Sequence, residues 1–257
     1  MAQREQGKKQ MNRPDQRPSG WRAKIGVITP TVNTITEPEL NRIAPDGVTV
    51  HFTRMPIHRH PEQDGYRSLF ADLDTRVGEL ATCGVDVVAY NCTVGSMSCP
   101  ADVLLGRIRE KSGVPAVATA GAVLAAFRTL GVSRVALATP YDEATNAHEA
   151  DYLASHGITV VASAGYPFAE GDAAAGRQYA RVSPADIYKH ALSVDRPDAE
   201  AIFVSCANFG SAAVVEALEE AARKPVITSN MACGWAALRA AGIDDPIVGF
   251  GRLLNEY

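Results

Sequence analysis

Several things are scarce or missing in this chain, and each absence narrows the field. Only 7% of the 257 residues are aromatic, and the net charge is −4. There is no basic excess of the kind that binds nucleic acid or an anionic membrane. No apolar run approaches the roughly 20 residues that a membrane-spanning helix needs. No C-x-x-C pair occurs among the five cysteines, which argues against a zinc site. G-x-G-x-x-G, Walker A and G-x-S-x-G motifs are all missing, which speaks against a nucleotide cofactor and a serine-hydrolase elbow. The N-terminal "MAQREQGKKQMNRPDQRPSG" has no apolar core and is not a signal peptide. Residues 1–20 read as a disordered leader, and Met11 is an alternative start. A cytoplasmic location is expected, with the five cysteines as free thiols.

What is present is an alternation of short Val/Ile/Ala-rich runs with helical patterns. "KIGVITP" (Lys24–Pro30) and "GVTVHFTRMP" (Gly47–Pro56) read as strands. Between Gly65 and Gly84, Leu69, Leu73, Val77 and Leu80 recur at helical spacing. "VDVVAYNCT" is a buried strand, "PADVLLGRIREKSG" a helix, "VPAVATA" a strand and "GAVLAAFRTLG" a helix.

The pattern then restarts. "SRVALATP" (Ser133–Pro140) matches "AKIGVITP", "AEAIFVSCANFGS" matches "VDVVAYNCTVGS", and "KPVITSNMACGWAALRAAGI" matches "VPAVATAGAVLAAFRTLGV". Between them lie the helix "NAHEADYLASHG", the strand "ITVVASAGYP" and a helix that opens at Ser183 (N-cap) and Pro184. Pro30 to Cys92 is 62 positions and Pro140 to Cys206 is 66. The repeat of about 110 residues is a duplicated small domain, not a solenoid. The expected fold is α/β: two pseudo-symmetric, flavodoxin-like lobes with parallel sheets, spanning 21–130 and 131–257, each close to β-β-α-β-α-β-α. The last segment is expected to pack back on the first lobe. Ligands of such sheets bind at the carboxyl ends of the strands, here across the cleft between the lobes.

Cys92 and Cys206 both end a strand and precede small or polar residues. Free cysteines are often inert small hydrophobes, but symmetric placement points to a facing pair. A helix is expected to begin after each, and its N–H groups would favour a thiolate or hold a carboxylate. Cys83, Cys99 and Cys233 read as structural. His58 and His60 could ligate a metal but lack a third ligand, so no metal site is expected. Asn33 and Thr34 in "TPTVNT", and Tyr141 in "TPYDEATN", could donate hydrogen bonds to a substrate carboxylate. Turn chemistry is the plainer explanation for Asn33, and packing for Tyr141.

From Lys24 to Tyr257 these features resemble the aspartate/glutamate racemase superfamily. "GVITPTVNTITEPEL", "YNCTVGS", "VSCANFGS" and "ATPY" resemble motifs of maleate cis-trans isomerases, and "GFGRLL" also resembles arylmalonate decarboxylases. The resemblance implies an isomerase that needs no cofactor and acts on a small carboxylic or dicarboxylic acid through Cys92 and Cys206. It implies substrate contacts at Asn33, Thr34, Thr93, Val94, Tyr141, Ala207 and Asn208, and a homodimer. Maleate isomerases carry a further asparagine in the loop that here reads "FAEGDAAAGRQYARVSP", which has none. The alternatives are two-thiol racemisation, decarboxylation through Cys206 and a dicarboxylate-binding module without turnover. Specificity is expected to reside in residues 51–63 and 168–182.

Overall fold

The computed structural model describes residues 17–58, 60–169 and 176–257. The first sheet contains β1 (Ala23–Pro30), β2 (Val48–Met55), β3 (Val87–Tyr90) and β4 (Ala116–Ala118). The second contains β5 (Arg134–Thr139), β6 (Thr159–Gly165), β7 (Ala201–Val204) and β8 (Val226–Thr228). All paired strands are parallel, and the orders β2-β1-β3-β4 and β6-β5-β7-β8 are the same arrangement twice. β1, β3, β5 and β7 are apolar along nearly their whole length because helices cover both faces of each sheet.

The connecting helices of the first half are α1 (Thr36–Ile43), α2 (Arg67–Thr82), α3 (Thr93–Met97), α4 (Ala101–Ser112) and α5 (Thr119–Leu130). Those of the second are α6 (Glu143–Ser155), α7 (Pro184–Val194), α8 (Val215–Ala222), α9 (Ser229–Ala240) and α10 (Arg252–Glu256). Ser183 caps α7 as its sequence foretells, accepting from the Asp186 N–H at 3.2 Å. α1 departs from the expected β-β-α order. It is short and carries Pro38 in its first turn, where the missing N–H costs nothing.

One apolar core joins the lobes, running from Val27, Leu40 and Val87 to Phe127, Phe203 and Leu238. α5 and α9 pack against each other. Each also touches the opposite sheet, α5 at β8 and α9 at β3 and β4. Gly234 of α9 allows the close approach to α1. A methyl there would lie 2.3 Å from Ile43 Cδ1 and 2.8 Å from Leu40 Cδ2. A second core, around Leu69, Leu73, Leu104 and Ile108, fills the outer face of the first sheet.

Of the expected leader, residues 1–16 lie outside the described residues. Arg17 stacks over Trp21 at 4.4 Å and pairs with Asp46. No helix among the described residues is long and apolar enough to cross a membrane.

Candidate active site

In each sheet the strand order reverses direction beside its first strand, between β1 and β3 and between β5 and β7. Crevices open at such points, at the carboxyl ends of the strands. Asn33 follows β1 and Cys92 follows β3; Tyr141 follows β5 and Cys206 follows β7. The two switch points therefore carry the residues singled out in the sequence.

The two thiols meet through a shared set of partners. The Ser229 hydroxyl, at the start of α9, accepts from Thr93 Oγ1 at 2.9 Å and from the Cys206 N–H at 3.1 Å. One oxygen thus links the loop after Cys92 to Cys206 itself. The Tyr141 hydroxyl hydrogen-bonds the Cys206 thiol and lies within electrostatic reach of Cys92. Cys92 and Cys206 also feel each other's charge.

Their backbones differ. Cys92 is extended (φ −147°) and leads directly into α3, where the Ser96 N–H donates to its carbonyl at 2.9 Å. Cys206 has φ +91°, a conformation that side chains rarely adopt. No helix follows at once: residues 207–211 run as turns and α8 begins at Val215. The expected helix follows both cysteines, at once after Cys92 and only from Ala212, as a 3-10 turn that runs into α8, after Cys206. The strained peptide after Cys206 is held by the Ala207 carbonyl, which accepts from Asn33 Nδ2 at 3.0 Å and Asn230 Nδ2 at 3.0 Å. Thr36 Oγ1 lies 3.2 Å from the same oxygen.

The expectation of lowered thiol pKa values is not met. Burial pushes Cys92 up to about 11, despite the Gly95 N–H that favours its thiolate. Burial pushes Cys206 up to about 12, against the Tyr141 hydroxyl and the Asn208 N–H. Among the described residues no neighbouring cation offsets this, as one does at reactive cysteines elsewhere. Cys92 remains partly accessible, whereas Cys206 is buried.

Asn33 is buried and its side chain is fully engaged. It donates to Thr36 Oγ1 at 2.9 Å and to Ala207, and accepts the Ile35 and Thr36 N–H groups, each at 2.9 Å. It shapes the turn before α1 and ties the lobes together. Asn208 does the converse from the second lobe. Its Oδ1 accepts the Thr34 N–H at 3.0 Å and its Nδ2 donates to the Gly176 carbonyl at 2.8 Å. Thr34 is exposed and Val94 half-buried at this seam.

Cys99 and Cys233 are buried structural thiols, and Cys83 is exposed at the end of α2. His58 is drawn to Asp72 of α2 at 2.9 Å, and His60 is 3.6 Å from Glu62. Among the described residues no three His, Cys, Asp or Glu side chains gather as a metal would require.

Four residues at or behind the strand ends were not singled out in the sequence. Ser229 occupies the position in the repeat that Thr119 holds in the first half, and that hydroxyl pair was a usable signal. Tyr90 lies beside Cys92, and Gly95 leaves room for both: a methyl at Gly95 would sit 2.8 Å from Cys92 Sγ and 2.8 Å from Tyr90 Oη. The other two are Glu39 and Glu149, nine positions after Pro30 and Pro140 respectively. Both are buried carboxyls.

A duplicated α/β protein with a cysteine at each of its two switch points defines a class of two-thiol, two-lobed proteins. Residues 25–254 match the family described as arylmalonate decarboxylase, and the chain belongs to that family. The arylmalonate decarboxylase of Bordetella bronchiseptica is 30% identical over 246 residues, covering 89% of this chain and 98% of that protein. The crystal structure of a C-to-A variant of the maleate isomerase Iso from Pseudomonas putida S16, solved with maleate, is 27% identical. It has a TM-score of 0.80 and covers 90% of this chain and 97% of that one. A C-to-S variant of the Nocardia farcinica maleate cis-trans isomerase is 25% identical, with a TM-score of 0.78 over 91% of this chain and 99% of that one. It carries a covalently bound succinylcysteine intermediate.

Proposed function

We propose that this protein is a cofactor-independent isomerase that converts a small cis-dicarboxylate, maleate or a close analogue, to its trans isomer. The observation that carries the reading is the single Ser229 hydroxyl shared by the loop after Cys92 and the backbone of Cys206. It brings two equivalent strand ends to one place, where a small diacid can lie between two thiols. The succinylcysteine of the Nocardia relative supports the same chemistry.

In this reading Cys92, the more accessible thiol, gives its proton to solvent as the substrate binds, and the sulfur of the resulting thiolate bonds to one alkene carbon. The alkene electron pair moves toward the adjacent carboxylate. Cys206, held protonated by burial, gives its proton to the other carbon. The C–C bond, now single, rotates. Cys206 takes a proton back from that carbon, the C–S bond breaks, and the trans-diacid leaves. The N–H groups of Thr93, Val94 and Ala207, with Thr34 and the Tyr141 hydroxyl, would hold the carboxylates and the charge that develops on them. Asn33 and Asn208 contact substrate only by releasing a present hydrogen bond; otherwise they hold the loops.

The wall of the cleft beyond Tyr141 is aromatic. Tyr179 stands edge-on to Tyr141 at 5.9 Å, and Phe168 lies 5.6 Å from Tyr179. Residues 170–175 of the same loop lie outside the described residues. This wall supports a diacid with an apolar substituent as well as maleate itself. Proton NMR of small mono- and dicarboxylates with the protein in deuterated water tests the proposal. Loss of the maleate alkene signal with growth of the fumarate signal is expected. Deuterium exchange at a chiral carbon without alkene conversion would identify a racemase instead, and loss of a carboxyl group from a substituted malonate would identify a decarboxylase.

A further inference from the structure

Glu149 lies behind Cys206 on α6 and is wholly buried. Its Oε1 accepts the hydroxyl of Ser205, the residue before Cys206, at 2.6 Å. Its Oε2 has no hydrogen-bond partner among the described residues. The counterpart in the first lobe, Glu39, is also buried, but both of its oxygens are used. Asn230 Nδ2 donates to Oε2 at 2.6 Å and the Ala212 N–H to Oε1 at 2.8 Å. An isolated buried carboxylate is far costlier than one that accepts several hydrogen bonds. Burial raises both carboxyls to about 7, but only Glu149 keeps an oxygen without a partner, and only Glu149 is bonded to the residue that precedes a buried thiol.

The titratable groups whose charge couples to Glu149 are Tyr141 and Cys206. Among the described residues no lysine or arginine offsets it. A negative charge on Glu149 opposes one on Cys206 and one on Tyr141, since like charges in a buried site repel strongly.

We propose that Glu149 is a positioning residue that sets how readily Cys206 gives up its proton: a neutral Glu149 leaves the Cys206 thiolate easier to form, and an ionised Glu149 makes it harder. This rests on the reading of Cys206 as the proton-exchanging thiol. Burial raises Glu149 to about 7, against the Ser205 hydroxyl that favours its ionised form. The switch therefore falls near neutral pH. Below it, Cys206 is free of the second charge. Above it, the two negative groups compete and Cys206 keeps its proton to higher pH.

The test is the pH dependence of Cys206 alkylation by iodoacetamide, followed on the full chain by site-resolved peptide mass spectrometry. Glu149→Gln keeps the shape and the acceptor for Ser205 but cannot ionise. Its Cys206 should alkylate at the parent rate below pH about 7 and about tenfold faster above it, because the thiolate no longer forms beside a second negative charge. Alkylation of Cys92 should change less. Identical Cys206 profiles in parent and variant would overturn the proposal. Ser205→Ala is the second variant, should Glu149→Gln fold poorly. Loss of that hydroxyl keeps Glu149 neutral to higher pH, so Cys206 should alkylate faster than in the parent over the pH range in which only the parent's Glu149 is ionised; an unchanged profile counts against the proposal. Alkylation is read without turnover. A changed profile in a protein that isomerises nothing would overturn the functional reading alone, and an unchanged one in an active isomerase would overturn only the role of Glu149.

Discussion

The two lobes share a topology and a thiol at the same strand end, and differ in what surrounds that thiol. After β3, Cys92 is extended and opens a helix; after β7, Cys206 is strained and opens a run of turns. Asn91 precedes the first thiol and Ser205 the second. Glu39 is locked by an amide and a backbone N–H, while Glu149 has one hydroxyl. In the proposed reaction the duplicated frame would put the two thiols on opposite sides of the substrate. One thiol would bond to carbon and the other would trade a proton, and the asymmetry would divide those tasks.

The sharpest way to break the comparison is to remove either thiol. Cys92→Ser and Cys206→Ser should each lower turnover by at least about a thousandfold, with little change in thermal unfolding; near-normal rates in either would leave no two-thiol mechanism. A smaller effect tests the space around each thiol. Gly95→Ala would place a methyl 2.8 Å from Cys92 Sγ, and displacing that atom should cost about a hundredfold in kcat/KM. At Gly210, in the turn after Cys206, the nearest atom to such a methyl is Ile35 Cδ1 at 3.4 Å, so Gly210→Ala should be nearly silent. Tyr141→Phe removes the hydroxyl that favours the Cys206 thiolate. It should slow turnover about tenfold and make Cys206 harder to alkylate.

Stability offers a gentler comparison. Burial raises both Glu39 and Glu149 from 4.5 to about 7. As pH rises, the unfolded chain releases these protons first. Their contribution is therefore complete below about 4.5 and is lost as pH climbs through about 7. Denaturant titrations should show stability falling by a few kcal/mol, on the order of magnitude that buried carboxyls produce, between mildly acid and mildly alkaline pH. Glu149→Gln should remove part of that slope. The smallest effect is expected where the C-terminal segment meets the first lobe. Arg22 makes a two-pronged contact with Asp245 at 2.8 and 2.5 Å, about a third exposed. Arg22→Ala should lower the unfolding free energy only slightly, as the loss of an exposed ion pair does.

The repeated Thr-Pro, Cys and Pro landmarks made both sheets and both thiols legible, because buried parallel strands read as continuous apolar runs and end where a loop must begin. α1 was not legible: its eight residues include a proline and its start is fixed by Asn33, a side chain whose capping role shows only in three dimensions. The same asparagine looked free to hold a carboxylate, but its amide is committed to Ala207, 174 residues away. Glu39 and Glu149 could have been matched by their equal distance from Pro30 and Pro140. Their burial could not, since a glutamate on an early helical turn is ordinarily a solvated one. The thiol pKa values depend on what surrounds the cleft, which no local motif encodes.

The central claim is that Cys92 bonds to carbon and Cys206 exchanges the proton. It is tested most directly by incubating Cys206→Ser with maleate, quenching with acid and mapping adducts by peptide mass spectrometry. The account predicts one added maleate on the Cys92 peptide and none on the same peptide of Cys92→Ser. An adduct on Cys206 in the Cys92→Ser protein, with Cys92 unmodified in its counterpart, would reverse the roles and contradict it.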